Sequence, residues 1–471
     1  MTLHKSFGEL EQLLNERIAV IDGAMGTMLQ RLGLTEADYR GARFKDWPRE
    51  LKGLHDLLNV TRPEAVAEVH RQYLAAGADI IETNTFNSQA VSLADYGLVA
   101  AARELARAGA AVARGVADEV MRARAGRQCF VAGVLGPTSK TASMVTDLND
   151  PAARGITFDE LAAAYADAAR GLLDGGADTL LVETIFDTLN AKAAFFAIEQ
   201  VFEERGARVP LMASVTFIQA GGNRGASGQT VEAFWNSIAH VPLLSVGMNC
   251  ALGPREMRPL IEELARLAPA RVSCHPNAGL PDATLPSGFP ETPETMAREL
   301  GEWARNGWLN LVGGCCGTTP EHIRAIAAAV SGVKPRAPLT VAPALRLSGL
   351  DALTVTGEWP RVARVTLAGD EEAAVESALD QVDDGAEIID VSVSAGLPDA
   401  ARAVTRLMNL LAFEPALARK PVLLSGPEWA AVEAGLKCLQ GRGAVTAGCL
   451  GEGAERARRE QLARWYGAAV V

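Results

Sequence analysis

The sequence predicts an α/β protein: a (β/α)8 TIM barrel followed by a partial second (β/α) barrel. Three observations predict it. Short, nearly all-apolar runs alternate with longer stretches rich in Ala, Leu, Glu and Arg. Eight such pairs fit before about residue 330, the number a closed barrel needs. Polar or reactive residues stand at the C-terminal end of nearly every apolar run, the rim on which barrel active sites are assembled.

The eight strand candidates are 17–23, 78–84, 129–136, 177–184, 210–217, 243–249, 271–277 and 309–315. Most are apolar for four to six residues, as parallel strands covered on both faces are. Segments such as 62–77 and 157–176 lie between them, with apolar residues at helical spacing and a closing Gly. A doubly wound open sheet competes with the barrel, but no G-x-G-x-x-G follows the first strand. The polar strand ends are Asp22, Glu82–Thr83–Asn84, Gly136–Pro137–Thr138, Glu183–Thr184, Thr216, Asn249–Cys250, Asn277 and Cys315–Cys316.

Residues 331–349 carry Pro335, Pro338 and Pro343 and little helical period, which reads as an extended linker. A second βα run occupies 350–471, with strand candidates at 352–357, 386–393, 421–426, 444–448 and 467–471. The expected organisation is therefore a barrel over 1–330, a linker over 331–349 and a truncated βα unit over 350–471. Five strands do not close an eight-stranded barrel, so an exposed last strand is expected to need cover, for example from a second copy of the chain.

Composition narrows the function classes. Of 471 residues 48% are apolar and 22% charged, which suits a globular chain with a sizeable core. A formal charge of -12 disfavours nonspecific binding to nucleic acid or an anionic membrane. The amino terminus reads as a short amphipathic helix without the features of a signal peptide, and no stretch of 18 apolar residues occurs after it. The expectation is a cytoplasmic protein whose thiols stay reduced, and seven cysteines, an odd number, fit no complete disulfide framework.

Three of those cysteines stand at two strand ends. Cys250 follows Met248-Asn249 and precedes Ala-Leu-Gly-Pro; Cys315 and Cys316 lie in Gly-Gly-Cys-Cys-Gly before Thr319 and Pro320, an N-cap and a first helical residue. Thiolates suit zinc, and three protein ligands with an open fourth position describe a catalytic site. Neighbouring strand residues point to opposite faces, so adjacent cysteines reach one metal only if the backbone turns sharply, which Gly313, Gly314 and Gly317 permit. The competing reading is a pair of small buried residues. Cys274 beside His275 reads as a core cysteine, and Cys129, Cys438 and Cys449 have no clustered partner.

The motifs at 21–30, 77–88, 133–138, 183–188, 248–254, 276–281 and 313–323 together resemble the homocysteine-binding module of cobalamin-dependent methionine synthase, in the homocysteine S-methyltransferase family. The resemblance implies that Cys250, Cys315 and Cys316 bind Zn2+ and that homocysteine sulfur takes the fourth position. It also implies substrate contacts at Asp22 and Glu183, both suited to the ammonium group. Backbone amides of the 23–27 and 136–138 turns are candidates for the carboxylate.

The segments at 381–390, 409–415, 433–443 and 464–471 resemble the start of the folate-binding barrel of the same synthase. There the family places an Asn and a second acid after the position of Asp390, and Asp-Ser-Ser after 421–424; this chain has Ser392, Ser394, Ser425, Gly426 and Pro427. No cobalamin motif D-x-H-x-x-G occurs. The expected donor is thus a methylcorrinoid on a separate protein, with a sulfonium such as S-methylmethionine as the alternative. A catalytically silent subunit with structural zinc is a third reading, which a fourth protein ligand such as His275 or His322 would favour.

Overall fold

The computed structural model describes residues 1–471. All eight strand candidates of the first part form strands: β1 (Ala19–Val20), β2 (Ile80–Glu82), β3 (Phe130–Leu135), β4 (Thr179–Ile185), β5 (Leu211–Val215), β6 (Ser245–Asn249), β7 (Arg271–His275) and β8 (Leu311–Val312). They pair in parallel in the order β1-β8-β7-β6-β5-β4-β3-β2. A parallel bridge between Ile21 and Ile80 closes the ring, with the Asp22 amide donating to Ile80 O at 3.0 Å and the Asp79 amide to Val20 O at 2.7 Å.

Four helices frame the barrel's two ends and its contact with the second sheet: α1 (Ser6–Glu16), α2 (Thr188–Arg205), α3 (Pro320–Val330) and α4 (Ala400–Phe413). Alternate strand residues such as Ile21, Ile80, Phe130, Leu181 and Met212 fill the barrel, and Leu10, Leu13 and Leu14 of α1 plug its N-terminal end. The expected amphipathic N-terminal helix is this plug. With that end filled by hydrocarbon, polar side chains are left to the opposite rim. No helix is long and apolar enough to cross a membrane.

The second part departs from the sequence reading at its start. The tract 352–357 does not open the second sheet; β10 (Ala352–Val355) pairs antiparallel with β9 (Leu345–Ser348), which lies inside the tract read as linker. The sheet begins instead at β11 (Val362–Leu367) and continues through β12 (Ile388–Val393), β13 (Val422–Ser425), β14 (Ala444–Val445) and β15 (Ala469–Val470), all parallel. The reason is the position of β11 at the sheet edge. Ala363, Val365 and Leu367 are buried while Arg364 and Thr366 are exposed, an alternation with no continuous apolar run to mark it. The backbone of Arg364 on that open edge is capped on both its N–H and C=O by the Gln381 amide.

The two sheets share a packed boundary along α2. Phe196 stacks on Tyr466 with centroids 4.8 Å apart, and Phe158 meets both rings edge-on. Lys192 is fully buried and donates to Leu439 O and Gly441 O, both at 2.7 Å; burial pushes its ammonium down to about 7. Phe196→Ala should therefore destabilise the fold by about 3–5 kcal/mol, the usual cost of emptying a buried aromatic site. A lowered denaturant midpoint checks this, and a midpoint equal to that of the parent chain would show that the boundary contributes little.

Candidate functional site

The C-terminal rim brings the three cysteines together from two strands. Cys250 follows β6 with φ of 60° and Ala251 comes next with φ of 55°, so the chain leaves the strand through two left-handed residues without a glycine. Such conformations cost on the order of 1–3 kcal/mol each and persist where the surroundings hold them. Here the Cys250 amide donates to His275 O and the Leu252 amide to Cys250 O.

Cys315 and Cys316 follow β8 in a turn that ends at Gly317, φ 81°, where a Cβ would lie 2.4 Å from the Phe289 ring. That turn is the sharp bend the adjacent cysteines require. The Cys315 amide donates to Pro276 O, Thr318 Oγ1 donates to Cys315 O, and the Gly317 amide donates to Thr27 Oγ1. Thr319 and Pro320 then start α3 as anticipated.

The three sulfurs lie within 4.8 Å of one another, with Cys250 Sγ and Cys316 Sγ 3.7 Å apart. Two sulfurs at a Zn–S distance of about 2.3 Å and a tetrahedral angle are about 3.8 Å apart, so the spacing fits a zinc ion. Hydrogen bonds from Cys250 and Cys315 hold the Cys316 thiol down to about 3, while bonds to Cys250 and Cys316 push Cys315 well above its usual range. Three such thiols cannot ionise together without a cation among them.

Neither histidine joins this cluster as a fourth ligand. His322 has Nδ1 against the Thr319 amide and hydroxyl and Nε2 against Glu291 O. His275 groups instead with Glu82 and Glu183, whose ligand atoms and its own lie within 4.8 Å of one another. As anticipated for the Cys274–His275 pair, Cys274 is the one in the wall, buried against Met257.

Asp22 and Glu183 both face the barrel mouth from buried positions. Asp22 accepts from the Glu82 amide through both oxygens at 3.2 Å. Glu183 accepts from Asn249 Nδ2 at 3.1 Å. Asn249 also holds Thr184, itself at φ 55°, through that residue's amide and hydroxyl, and takes a bond from Ser214 Oγ, so one carboxamide joins the ends of β4, β5 and β6.

Burial raises the carboxyl groups of Asp22 and Glu82, with Glu183 adding to both, and lifts Glu183 to about 8. Glu82 Oε1 and His275 Nε2 are buried without a partner. His275 Nδ1 lies 3.7 Å from Glu82 Oε1, and a cationic group beside the three crowded acids would favour their ionised forms.

Sequence reasoning does not decide Glu82 between pocket and packing, and it gives neither His275 nor Asn249 a role in binding substrate. Their positions at the ends of β2, β7 and β6 are the available signal. Of the two glycine-rich turns, the one at 23–27 is already tied to the cysteine turn: the Ala24 amide donates to Thr318 Oγ1 and the Thr27 hydroxyl accepts from Gly317.

The sequence pattern of homocysteine S-methyltransferases matches residues 19–330, about two thirds of the chain. The chain belongs to the homocysteine S-methyltransferase family. It is a methyltransferase by that membership, and the pattern of pterin binding enzymes matches residues 360–471. Among solved structures, the homocysteine methyltransferase MmuM from Escherichia coli in its metallated form is 23% identical, with a TM-score of 0.53 over 69% of this chain and 99% of that one. Its oxidised form aligns equally, at 23% identity and a TM-score of 0.53 over 68% of this chain and 98% of that one. At that identity the likeness shows the shared barrel fold.

Proposed function

We propose that this chain transfers a methyl group to the sulfur of homocysteine, giving methionine, with zinc held by Cys250, Cys315 and Cys316. The observation that carries the reading is the three-sulfur cluster at zinc spacing beside a pocket of three crowded acids. Zinc bound there would supply the Lewis acidity that lets the substrate thiol lose its proton to solvent and stay a thiolate nucleophile. Asp22 and Glu183 receive the ammonium group, and Glu82 and His275 line the same pocket. Asn249 fixes Glu183 relative to Cys250, so that the amino-acid end and the sulfur end of the substrate are set by one side chain. The engagement of His322 elsewhere and the grouping of His275 with the acids favour an open fourth position over structural zinc.

The donor we propose is a methylcorrinoid carried by a separate protein. The pairing of a homocysteine barrel with a pterin-binding-type sheet in one chain supports a methionine-synthase context. So do the exposed apolar residues Phe86, Met144, Leu148, Ile218 and Leu280 on loops around the barrel mouth, which suit a protein-borne donor better than a small sulfonium. The methyl group leaves the corrinoid cobalt without its bonding electron pair and joins sulfur. Methyl transfer to homocysteine assayed with a methylcobalamin-loaded protein and, separately, with S-methylmethionine tests this. Turnover with the sulfonium alone would replace the proposed donor, and turnover with neither would count against catalysis.

Asp22→Asn and Glu183→Gln should each weaken homocysteine binding by about 10–100-fold, since each removes an acid that can ionise to pair with the ammonium. Calorimetric titration reads the affinity and metal analysis should find the zinc retained. Unchanged affinity in both variants would remove these residues from the substrate site.

A further inference from the structure

The second sheet meets the barrel along a single sector of its rim. Every hydrogen bond and ion pair between residues 1–330 and residues 345–471 starts within 150–240, the stretch that runs from the loop after β3 to the end of the helix after β5. The turns after β6 and β8, which carry the three cysteines, bond to nothing in the second sheet. The cysteine turns thus make no direct hydrogen bond to the second unit, whereas the helix that follows Glu183 does, through Thr188 and Lys192.

The loop between β3 and the next helix, residues 138–157, is clamped from two sides. On its inner side Asp187 Oδ2 accepts from the Ser143 amide and hydroxyl while Oδ1 caps α2 at the Leu189 amide. Asn190 accepts from the Ala142 amide and donates to Thr138 Oγ1 and Lys140 O. These two residues begin the helix that comes after Glu183.

On its outer side Arg154 Nη2 donates to Asn409 O and Asn409 Nδ2 donates to Ala152 O, both at 2.9 Å, a reciprocal pair between the loop and α4. Arg406 adds an ion pair to Asp150 at 3.0 Å. A bridge between Val145 and Arg154 folds the loop back on itself, which leaves Leu148 exposed at its tip and Met144 exposed beside the bridge.

We propose that Arg154 and Asn409 are a positioning pair through which the second sheet steadies the loop whose inner anchors, Asp187 and Asn190, line a small cavity together with Glu183, so that the second unit sets homocysteine affinity. This rests on the proposed placement of the homocysteine amino-acid end beside Glu183. The physical reason is entropic and electrostatic. A loop of this length, with one bridge and a few turn bonds of its own, depends on its anchors for its place against the barrel, and an unanchored loop must be ordered by the substrate at the expense of affinity. A displaced loop also admits water to the Glu183 side and weakens the attraction between carboxylate and ammonium. The sulfur end, built on β6 and β8, has no hydrogen bond to this loop or to the second unit, so it should respond less.

The experiment uses the full zinc-loaded chain and the variants Asn409→Ala, Arg154→Met and Arg154→Lys. Homocysteine Kd should rise by about tenfold in the first two, with KM following it and kcat within about twofold. Arg154→Lys, which keeps one donor, should recover part of the loss. Zinc content should not change, and binding of ethanethiol, which has a thiol and no amino-acid end, should be unaltered. Amide exchange over residues 139–156 should accelerate.

Faster exchange with unchanged homocysteine affinity would overturn the proposal, as would an equal loss for ethanethiol or a loss of zinc. Should Asn409→Ala perturb the second unit itself, Arg406→Ala, a change on its surface, must show the same selectivity for homocysteine over ethanethiol at smaller size, and lack of selectivity there would also overturn it. Failure of the parent chain to bind homocysteine would instead strike the proposed function, since the present inference is read from ratios between variant and parent.

Discussion

Replacing Cys250, Cys315 or Cys316 by Ala is expected to lower zinc content from one ion per chain to a small fraction and to abolish methyl transfer. The three sulfurs lie within 4.8 Å of one another, with Cys250 and Cys316 3.7 Å apart, a spacing that fits a single tetrahedral ion. Structural zinc sites bind with about 10–16 kcal/mol, so removing one of three ligands should forfeit roughly 3 kcal/mol or more, at least two powers of ten in affinity. The fold itself should survive, because the cysteines are only partly buried on rim turns and the barrel core lies beneath them. Metal analysis after dialysis measures the effect, with unfolding curves as the control. In the parent chain homocysteine should release at least one proton near neutral pH on binding, since a coordinated thiol is deprotonated and Glu183, lifted to about 8, loses its proton on meeting the ammonium. Calorimetry in buffers of different ionisation enthalpy detects that proton. Zinc retained in all three variants would defeat the assignment of the ligands.

Methyltetrahydrofolate is expected not to bind the second sheet usefully, although the pattern of pterin binding enzymes covers it. A pterin presents an amide and an amino edge that need buried carboxylate or carboxamide partners. The C-terminal ends of β12 and β13 offer Ser394 and Ser425-Gly426, and the nearby acid, Asp390, accepts a bond from Ser425 Oγ at 2.9 Å. Two missing partners at about 1–3 kcal/mol each lower affinity by roughly one to four powers of ten. Equilibrium titration reads this directly, and micromolar binding would show the sheet to be a working folate site. Together with the clamp on the loop after β3, weak or absent binding would leave the second unit as a support for the first.

Much of the architecture is legible in the residues alone. The eight apolar runs mark β1 to β8 because a parallel strand is covered on both faces and leaves that pattern wherever it occurs. Cys250, Cys315 and Cys316 stand out because reactive residues at strand ends of one barrel share one rim, and the glycines around the cysteine pair mark the turn that brings both sulfurs inward. The start of the second sheet is misplaced by sequence reasoning because an edge strand with one wet face, Val362–Leu367, carries a weaker signal than the hairpin strand Ala352–Val355. Periodicity reports which face of a segment is buried and is silent on which sheet it joins.

Closure of the ring between β1 and β2, and the registers it enforces, decided that Asp22, Glu82, Glu183 and His275 converge on one pocket, and that Asn249 ties three strand ends. Packing between residues 255 apart in the chain decided that Arg154 meets Asn409. Such contacts arise from the shapes of whole layers meeting, so no local pattern of residues encodes them.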